Sequence, residues 1–259
     1  MRFPGSRSIL LGLWLSCLMV SLCRPAAASL IDTIERVKPS VVMVGTFDPL
    51  GSPQFVLRGT GFAVGDGHVI ATNAHVVGSA GDGKPAMLVV ETSLGESGRS
   101  RRAAYVWKVD KVHDLALLKI DGPALPALAF GDSGAVKEGL EVAFTGFPIG
   151  NILGFVPVTH HGMVSAVTPI ALPSGNSGRL TAAVIRRLKS GAFDIFQLDA
   201  TAYPGNSGGP LFNVDTGEVI GIINMVLVKR TKEAALTHPS GISYAIPANY
   251  LRDLLINAK

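Results

Sequence analysis

Three side chains, distant in the chain and of types that cooperate in acyl transfer, stand out from the 259 residues. Ser207 lies in Gly205-Asn206-Ser207-Gly208-Gly209-Pro210. A serine between glycines on a tight turn can expose its hydroxyl while the neighbouring N–H groups converge on one point, where an oxyanion forms. Glycine supplies the backbone angles for this without a Cβ penalty. Alone, the segment also reads as a Gly-rich β-turn. His75 follows an apolar β-run, Gly67 to Thr72, and Asp114 heads another, Leu115 to Ile120. Singly, each reads as a structural residue. Together they stand in the order His, Asp, Ser, spaced by 39 and 93 residues. In such a set the hydroxyl attacks a carbonyl. The imidazole removes and returns the proton, and the carboxylate fixes the tautomer and steadies the imidazolium.

The surrounding motifs carry a family resemblance. Gly59-Thr60-Gly61-Phe62, Thr72 to Val77, Asp114 to Ile120, Gly131-Asp132-Ser133, Gly205 to Pro210 and Gly241 to Pro247 follow one another along most of the chain. In this order the sequence resembles trypsin-like serine proteases of the Deg/HtrA type. The resemblance implies a serine endopeptidase acting on unfolded or misfolded proteins through an acyl-enzyme, with His75, Asp114 and Ser207 as its triad and the N–H groups of Gly205 and Ser207 as oxyanion donors. It implies an all-β, trypsin-like fold of two antiparallel six-stranded barrels with short N- and C-terminal helices. One barrel is expected over 29–130 and the other over 131–259. Relatives often form trimers, so a homo-oligomer is a further expectation. Many also carry a PDZ domain after the catalytic part, and none is expected within this sequence. The same triad leaves room for an inactive trypsin-like binding module, or for an esterase or acyl-transferase.

Asn206 departs from the trypsin-like pattern, in which that position is usually an aspartate that pairs with a freshly cut N-terminus. An amide has no charge for such pairing, so no zymogen cleavage is expected. The substrate pocket is expected at Thr201, at Ile223, Asn224 and Met225, and at Ile242. No acid stands six residues before the serine to receive Lys or Arg, so an apolar pocket for Val, Ala, Ile or Leu is expected. The backbone of Ile223 to Met225 is a candidate partner for an extended substrate strand.

Composition limits the remaining classes. Arg2 and Arg7, the apolar stretch Ile9 to Val20 and the Ala26-Ala27-Ala28 site read as a signal peptide over 1–28, giving an exported, periplasmic or secreted protein that begins near Ser29 and has no stable membrane insertion. Cys17 and Cys23, the only cysteines, fall inside that segment, so no disulfide is expected in the mature part. Three of the 23 basic residues and none of the 19 acidic ones lie there too, leaving 20 against 19. The net charge of +4 is therefore no argument for nucleic acid as a partner. Protein or peptide substrates are expected, with no cofactor. His160-His161 lacks an accompanying ligand cluster and reads as a strand-surface pair without a metal.

The elements that must hold the triad are short. Apolar runs alternate with Gly, Pro, Asp and Ser turns at spacings typical of sandwiches or barrels. They lie at Val41–Gly45, Gly59–Val64, His68–Thr72, Ala86–Glu91, Ala104–Val109 and Leu115–Ile120, then Glu141–Thr145, Pro157–Val167, Ile195–Asp199, Pro210–Phe212, Val219–Asn224 and Gly241–Ala245. Helical patterns cover Ile31 to Lys38 and Pro247 to Ala258, and Asp121 to Gly134 reads as the link between two sets of strands. Pro169 to Ala192 breaks the strand pattern and reads as a long loop, at the place of the activation-loop region in the resembled family.

Overall fold

The structure is a computed structural model that describes residues 29–78, 86–94, 98–149, 154–169, 193–224 and 242–258. The expected signal peptide, the loop over 170–192 and Met225 lie outside the described residues. Ser29 caps the first helix, α1 (Leu30–Val37), by accepting from the Asp32 N–H while Asp32 accepts from the Ser29 N–H. The reciprocal pair satisfies two end donors. Pro39 then turns the chain through a 3₁₀ turn into the sheet.

Six strands close the first barrel: β1 (Val41–Phe47), β2 (Phe55–Val64), β3 (Val69–Asn73), β4 (Met87–Leu94), β5 (Gly98–Asp110) and β6 (Leu115–Ile120). Their order around it is β1-β2-β3-β6-β5-β4, all antiparallel. The second barrel repeats the plan with β7 (Glu141–Gly146), β8 (Val158–Pro169), β9 (Asp194–Asp199), β10 (Pro210–Asn213), β11 (Val219–Ile223) and β12 (Ile242–Pro247), ordered β10-β11-β12-β9-β8-β7. The expected all-β fold of two six-stranded antiparallel barrels is the one observed. Closure leaves no unpaired sheet edge. A short helix, α2 (Ala74–Val77), follows β3, and α3 (Ala248–Ile256) follows β12.

The apolar runs foreseen in the sequence coincide with strand centres, because a strand buried on its inner face must alternate or run apolar. The ends differ. β5 starts six residues before its apolar run, at Gly98, since the polar stretch through Arg102 is carried by pairing with β4. A bulge between Val106 and Lys108 shifts its register against β6.

Apolar packing both fills and joins the barrels. One cluster, with Val42, Ile70, Val90 and Leu118, lies inside the first barrel, and another, with Phe144, Val164, Phe196 and Leu211, inside the second. Two more cross the seam: Phe62, Leu115 and Leu117 meet Ile195, Ile222, Ile246 and Leu251, and Val41 and Met43 meet Phe147 and Phe212. Full burial of such a side chain contributes about 1.5–3 kcal/mol, so the seam is a rigid base for any site built across it.

Candidate active site

His75 stands on one turn of helix that follows β3 directly. The first N–H groups of a helix lack internal partners, and here two of them turn to Asp114. Ala74 donates to the Asp114 carbonyl at 3.0 Å, and His75 N donates to Asp114 Oδ1 at 2.8 Å. The imidazole closes the circuit, with Nδ1 at 2.6 Å from Asp114 Oδ2. Asn224 Nδ2 donates to the same Oδ2 at 2.8 Å, and Asn73 Nδ2 donates to the Asp114 carbonyl at 3.1 Å. An ionised carboxylate only accepts, so the Nδ1 hydrogen faces Asp114, and in the neutral ring this leaves the lone pair on Nε2. The two side chains are 29% and 15% exposed, sheltered enough for these bonds to resist competition from water.

Asp114 reaches this position at φ +56°. A non-glycine residue there costs about 1 kcal/mol, and aspartate is one of the few that visit it. The backbone angle turns the carboxylate back towards β3 instead of along β6. Nothing in the Leu115 to Ile120 pattern signals this.

The Gly-rich turn lies across from this pair and is fastened by both barrels. Asn206 N–H donates to the Tyr203 carbonyl at 3.0 Å and Gly209 N–H to the Asn206 carbonyl at 2.9 Å. From the first barrel, Thr60 N–H donates to the Ser207 carbonyl at 2.8 Å, and Thr60 Oγ1 donates to the Gly205 carbonyl at 2.7 Å. The same hydroxyl accepts from Phe147 N–H at 3.1 Å. Gly205 has φ +104°, and a Cβ there would run into the Phe147 carbonyl. Its N–H meets no acceptor among the described residues. Gly59, next to Thr60, shows how near the serine comes to the histidine's helix. A Cβ at Gly59 would stand 2.7 Å from Val76 Cγ2 and 2.8 Å from the Ser207 carbonyl.

Ser207 is only 5% exposed. The Thr60 N–H holds its carbonyl from the first barrel. Asn206 is fully buried, and neither Oδ1 nor Nδ2 has a hydrogen-bond partner among the described residues.

The residues expected at a substrate pocket are distributed unevenly. Thr201 is half-buried in the segment between β9 and the Gly-rich turn. Ile223 is fully buried within the second barrel, and its backbone is bonded to the turn: Gly208 N–H donates to its carbonyl at 2.9 Å, and its own N–H donates to Gly209 O at 3.0 Å. The Ile223 end of the stretch expected to pair with a substrate strand is thus bonded to the Gly-rich turn, and its Met225 end lies outside the described residues. Asn224 uses its side chain on Asp114, and its N–H on the Tyr244 carbonyl at 2.9 Å. Ile242 pairs with Asp199 at the edge of β12.

Two site features escaped the sequence reading. The pattern places Asn224 at the pocket and carries no sign of its bond to Asp114, 110 residues away. Thr60 was visible only as part of a motif, without its role as the post that carries Gly205 and Phe147. The histidine pair also differs from expectation. His161 is exposed, with Nε2 at 3.9 Å from Glu141, whereas His160 turns inward and stacks on Phe144 at 4.8 Å. Neighbours on a strand face opposite sides, so both could not lie on the surface. Burial holds the His160 imidazole below its ordinary range. Among the described residues no group of three or more His, Cys, Asp or Glu is placed to hold a metal ion, and no helix is long and apolar enough to cross a membrane.

Comparison with known proteins agrees with this architecture. A trypsin-like peptidase domain model matches residues 59–222, from the Gly59 motif to β11. The chain is 36% identical over 197 residues to a probable periplasmic serine endoprotease DegP-like of Halomonas elongata, covering 76% of this chain and 34% of that protein. It is 32% identical over 227 residues to serine protease HTRA1B of Danio rerio, covering 86% of this chain and 40% of that protein. It therefore spans well under half the length of these curated relatives. Among solved structures, a variant of the HtrA-type protease AlgW with a tripeptide superposes with a TM-score of 0.62 at 25% identity, covering 88% of this chain and 62% of that one. With its paired barrels, its Gly-rich serine turn and these relatives, the chain belongs to the trypsin-like peptidases, of the HtrA/DegP type.

Proposed function

We propose that the protein is an exported serine endopeptidase that hydrolyses peptide bonds of unfolded or misfolded proteins, with His75, Asp114 and Ser207 as its catalytic triad. The observation that carries this is the 2.6 Å bond from His75 Nδ1 to Asp114 Oδ2, with two further donors converging on the same carboxylate. It leaves His75 Nε2 as the base. Ser207 Oγ attacks the scissile carbonyl carbon while its proton passes to Nε2. The tetrahedral oxyanion is received by the N–H groups of Gly205 and Ser207, and losing one such donor typically costs about 2.7–4 kcal/mol. Collapse expels the amine, which takes the proton from His75. Water then enters by the same route and releases the acid from the acyl-serine.

The signal-like residues 1–28 support export, as does the word periplasmic in the description of the Halomonas relative. The uncharged Asn206, buried beside the serine, supports activity without a cleaved N-terminus. The reading further assigns Thr201, Ile223, Asn224, Met225 and Ile242 to the surroundings of an apolar pocket, and it allows a homotrimer.

Labelling by a serine-directed fluorophosphonate, together with digestion of casein, tests the proposal. Wild-type protein should be labelled and should cut casein, and Ser207→Ala should do neither while keeping its melting temperature. Labelling that survives in Ser207→Ala overturns the nucleophile. Labelling without casein cleavage, alongside turnover of a small ester, overturns the endopeptidase reading.

A further inference from the structure

A second histidine–carboxylate pair sits beside the first. His113, the residue before Asp114, has Nδ1 at 2.6 Å from Asp110 Oδ2. Asp110 Oδ1 accepts from the N–H groups of Val112 at 2.9 Å and His113 at 3.1 Å, so one carboxylate ties the whole β5–β6 turn together. Burial works against ionisation of Asp110, but the His113 hydrogen bonds outweigh it and hold the carboxyl below its ordinary range. The ring of His113 does not point at solvent. It stacks on Tyr250 of α3 at 4.0 Å and 15°, and meets Phe193 edge-on at 4.7 Å and 66°. Phe193 and Tyr250 touch in turn at 5.6 Å. Among the described residues, the other titratable groups on this side are Tyr250 itself, whose hydroxyl is raised by burial and then by the neighbouring Asp194 carboxylate, and Asp194.

The placement gives this pair a task. Asp114 must hold φ +56° for its carboxylate to meet His75. Residues 111–113 form the short turn that delivers it, and the turn has no apolar anchor of its own: Val112 is 39% exposed. His113 supplies one. Through Asp110 it grips the first barrel, and through Phe193 and Tyr250 it grips the second barrel and the C-terminal helix. We infer that His113 is a positioning residue for the catalytic acid, a clamp that sets the turn carrying Asp114 against the barrel that carries Ser207. The inference rests on the triad proposed above and adds to it a residue that touches neither substrate nor the reacting atoms.

The test uses the whole protein and four variants. Fluorescein-labelled unfolded casein gives kcat and KM, and the rate of fluorophosphonate labelling from pH 5 to 9 gives the acid limb of the reaction. His113→Phe keeps the ring on Tyr250 and removes the bond to Asp110. His113→Asn restores a donor close to the position of Nδ1. Asp114→Asn removes the acid, and His113→Ala removes both functions of the clamp.

The expected result for His113→Phe is a kcat roughly tenfold lower with KM within about twofold, because misplacing a catalytic group by part of an ångström is felt in the barrier more than in binding. Its acid limb should move to lower pH, since a displaced carboxylate no longer steadies the imidazolium. His113→Asn should recover a substantial part of both, and His113→Ala should recover neither. If His113→Phe matches wild type in kcat and acid limb, or loses kcat only in proportion to folded protein with the limb unmoved, the clamp is wrong. If Asp114→Asn keeps full activity, the triad is wrong and the clamp falls with it. Loss in Asp114→Asn with wild-type behaviour in His113→Phe overturns the clamp alone.

Discussion

The two barrels share a strand plan and hold their parts of the site by different means. In the first, His75 and Asp114 sit beside the ends of strands, and among the described residues four of the five hydrogen bonds received by Asp114 come from within residues 73–75 of the same barrel. In the second, the serine lies on a turn with a positive-φ glycine, whose carbonyls are tied by Thr60 of the first barrel. His75 and Asp114 are thus positioned largely from within the first barrel. The turn of Ser207 takes its shape from contacts across the seam. Disturbing the polar contacts that cross the seam should therefore be read in activity before stability, and disturbing an apolar cluster, within a barrel or across the seam, should do the reverse.

The comparison is broken most directly at Gly205. Alanine there must adopt φ +104° and face the Phe147 carbonyl, so the turn has to move and the proposed oxyanion donor moves with it. A fall of about 10²–10³ in kcat is expected. A Gly205→Ala protein with near wild-type kcat would show that the turn's shape is unimportant.

Thr60→Val comes next. It removes the hydroxyl that serves Gly205 and Phe147 and keeps the side chain's volume. Two buried groups lose their partner, at about 1–3 kcal/mol each, and kcat should fall roughly ten- to hundredfold. Kinetics together with thermal melting would show whether activity falls further than folded protein does. A variant that only melts earlier would place Thr60 with the core.

Asn224 and Asn73 sharpen the contrast between donors. Asn224→Ala removes a bond to the Asp114 carboxylate that crosses from the second barrel. Bonds to charged groups are worth about 1.5–3 kcal/mol, and a kcat about tenfold lower is expected. Asn73→Ala loses only a bond to the Asp114 carbonyl, which Ala74 N–H also serves, so kcat should stay within about threefold. A wild-type kcat in Asn224→Ala would mean that Asp114 is held by its own barrel alone.

The smallest effect concerns the interior of the second barrel. His160 has its folded pKa depressed by burial, and its buried Nε2 finds no partner among the described residues. The unfolded chain takes the proton more readily. The neutral ring's contribution is therefore complete above about pH 6.5, declines as pH falls towards the folded value, and changes no further below it. His160→Phe keeps the stack on Phe144 and should flatten the decline of Tm between pH 7.5 and 5 by about one or two degrees, without altering kcat. An unchanged slope would assign acid sensitivity to other groups.

These differences also mark what could be read from residues alone. The strand centres were legible because burial of one sheet face imposes a period-two or continuous apolar pattern, as in Leu115 to Ile120 and Val219 to Ile223. Strand ends were not. Gly98 to Arg102 is polar, and it is a strand because β4 lies beside it. His160 was read as a surface residue because its neighbour is one, although the pleat separates the two.

By itself the sequence determined the all-β class, the family, and the order and spacing of His75, Asp114 and Ser207, since these depend on residue type and local pattern. The tertiary structure decided everything that needed a partner distant in the chain. Asn224 meets Asp114 across 110 residues, and Thr60 meets Gly205 across 145. His113 meets Tyr250 only when α3 folds back onto the β5–β6 turn. The left-handed backbone of Asp114 belongs to the same group. It is unfavourable in isolation, and the donors converging on the carboxylate and carbonyl hold it there.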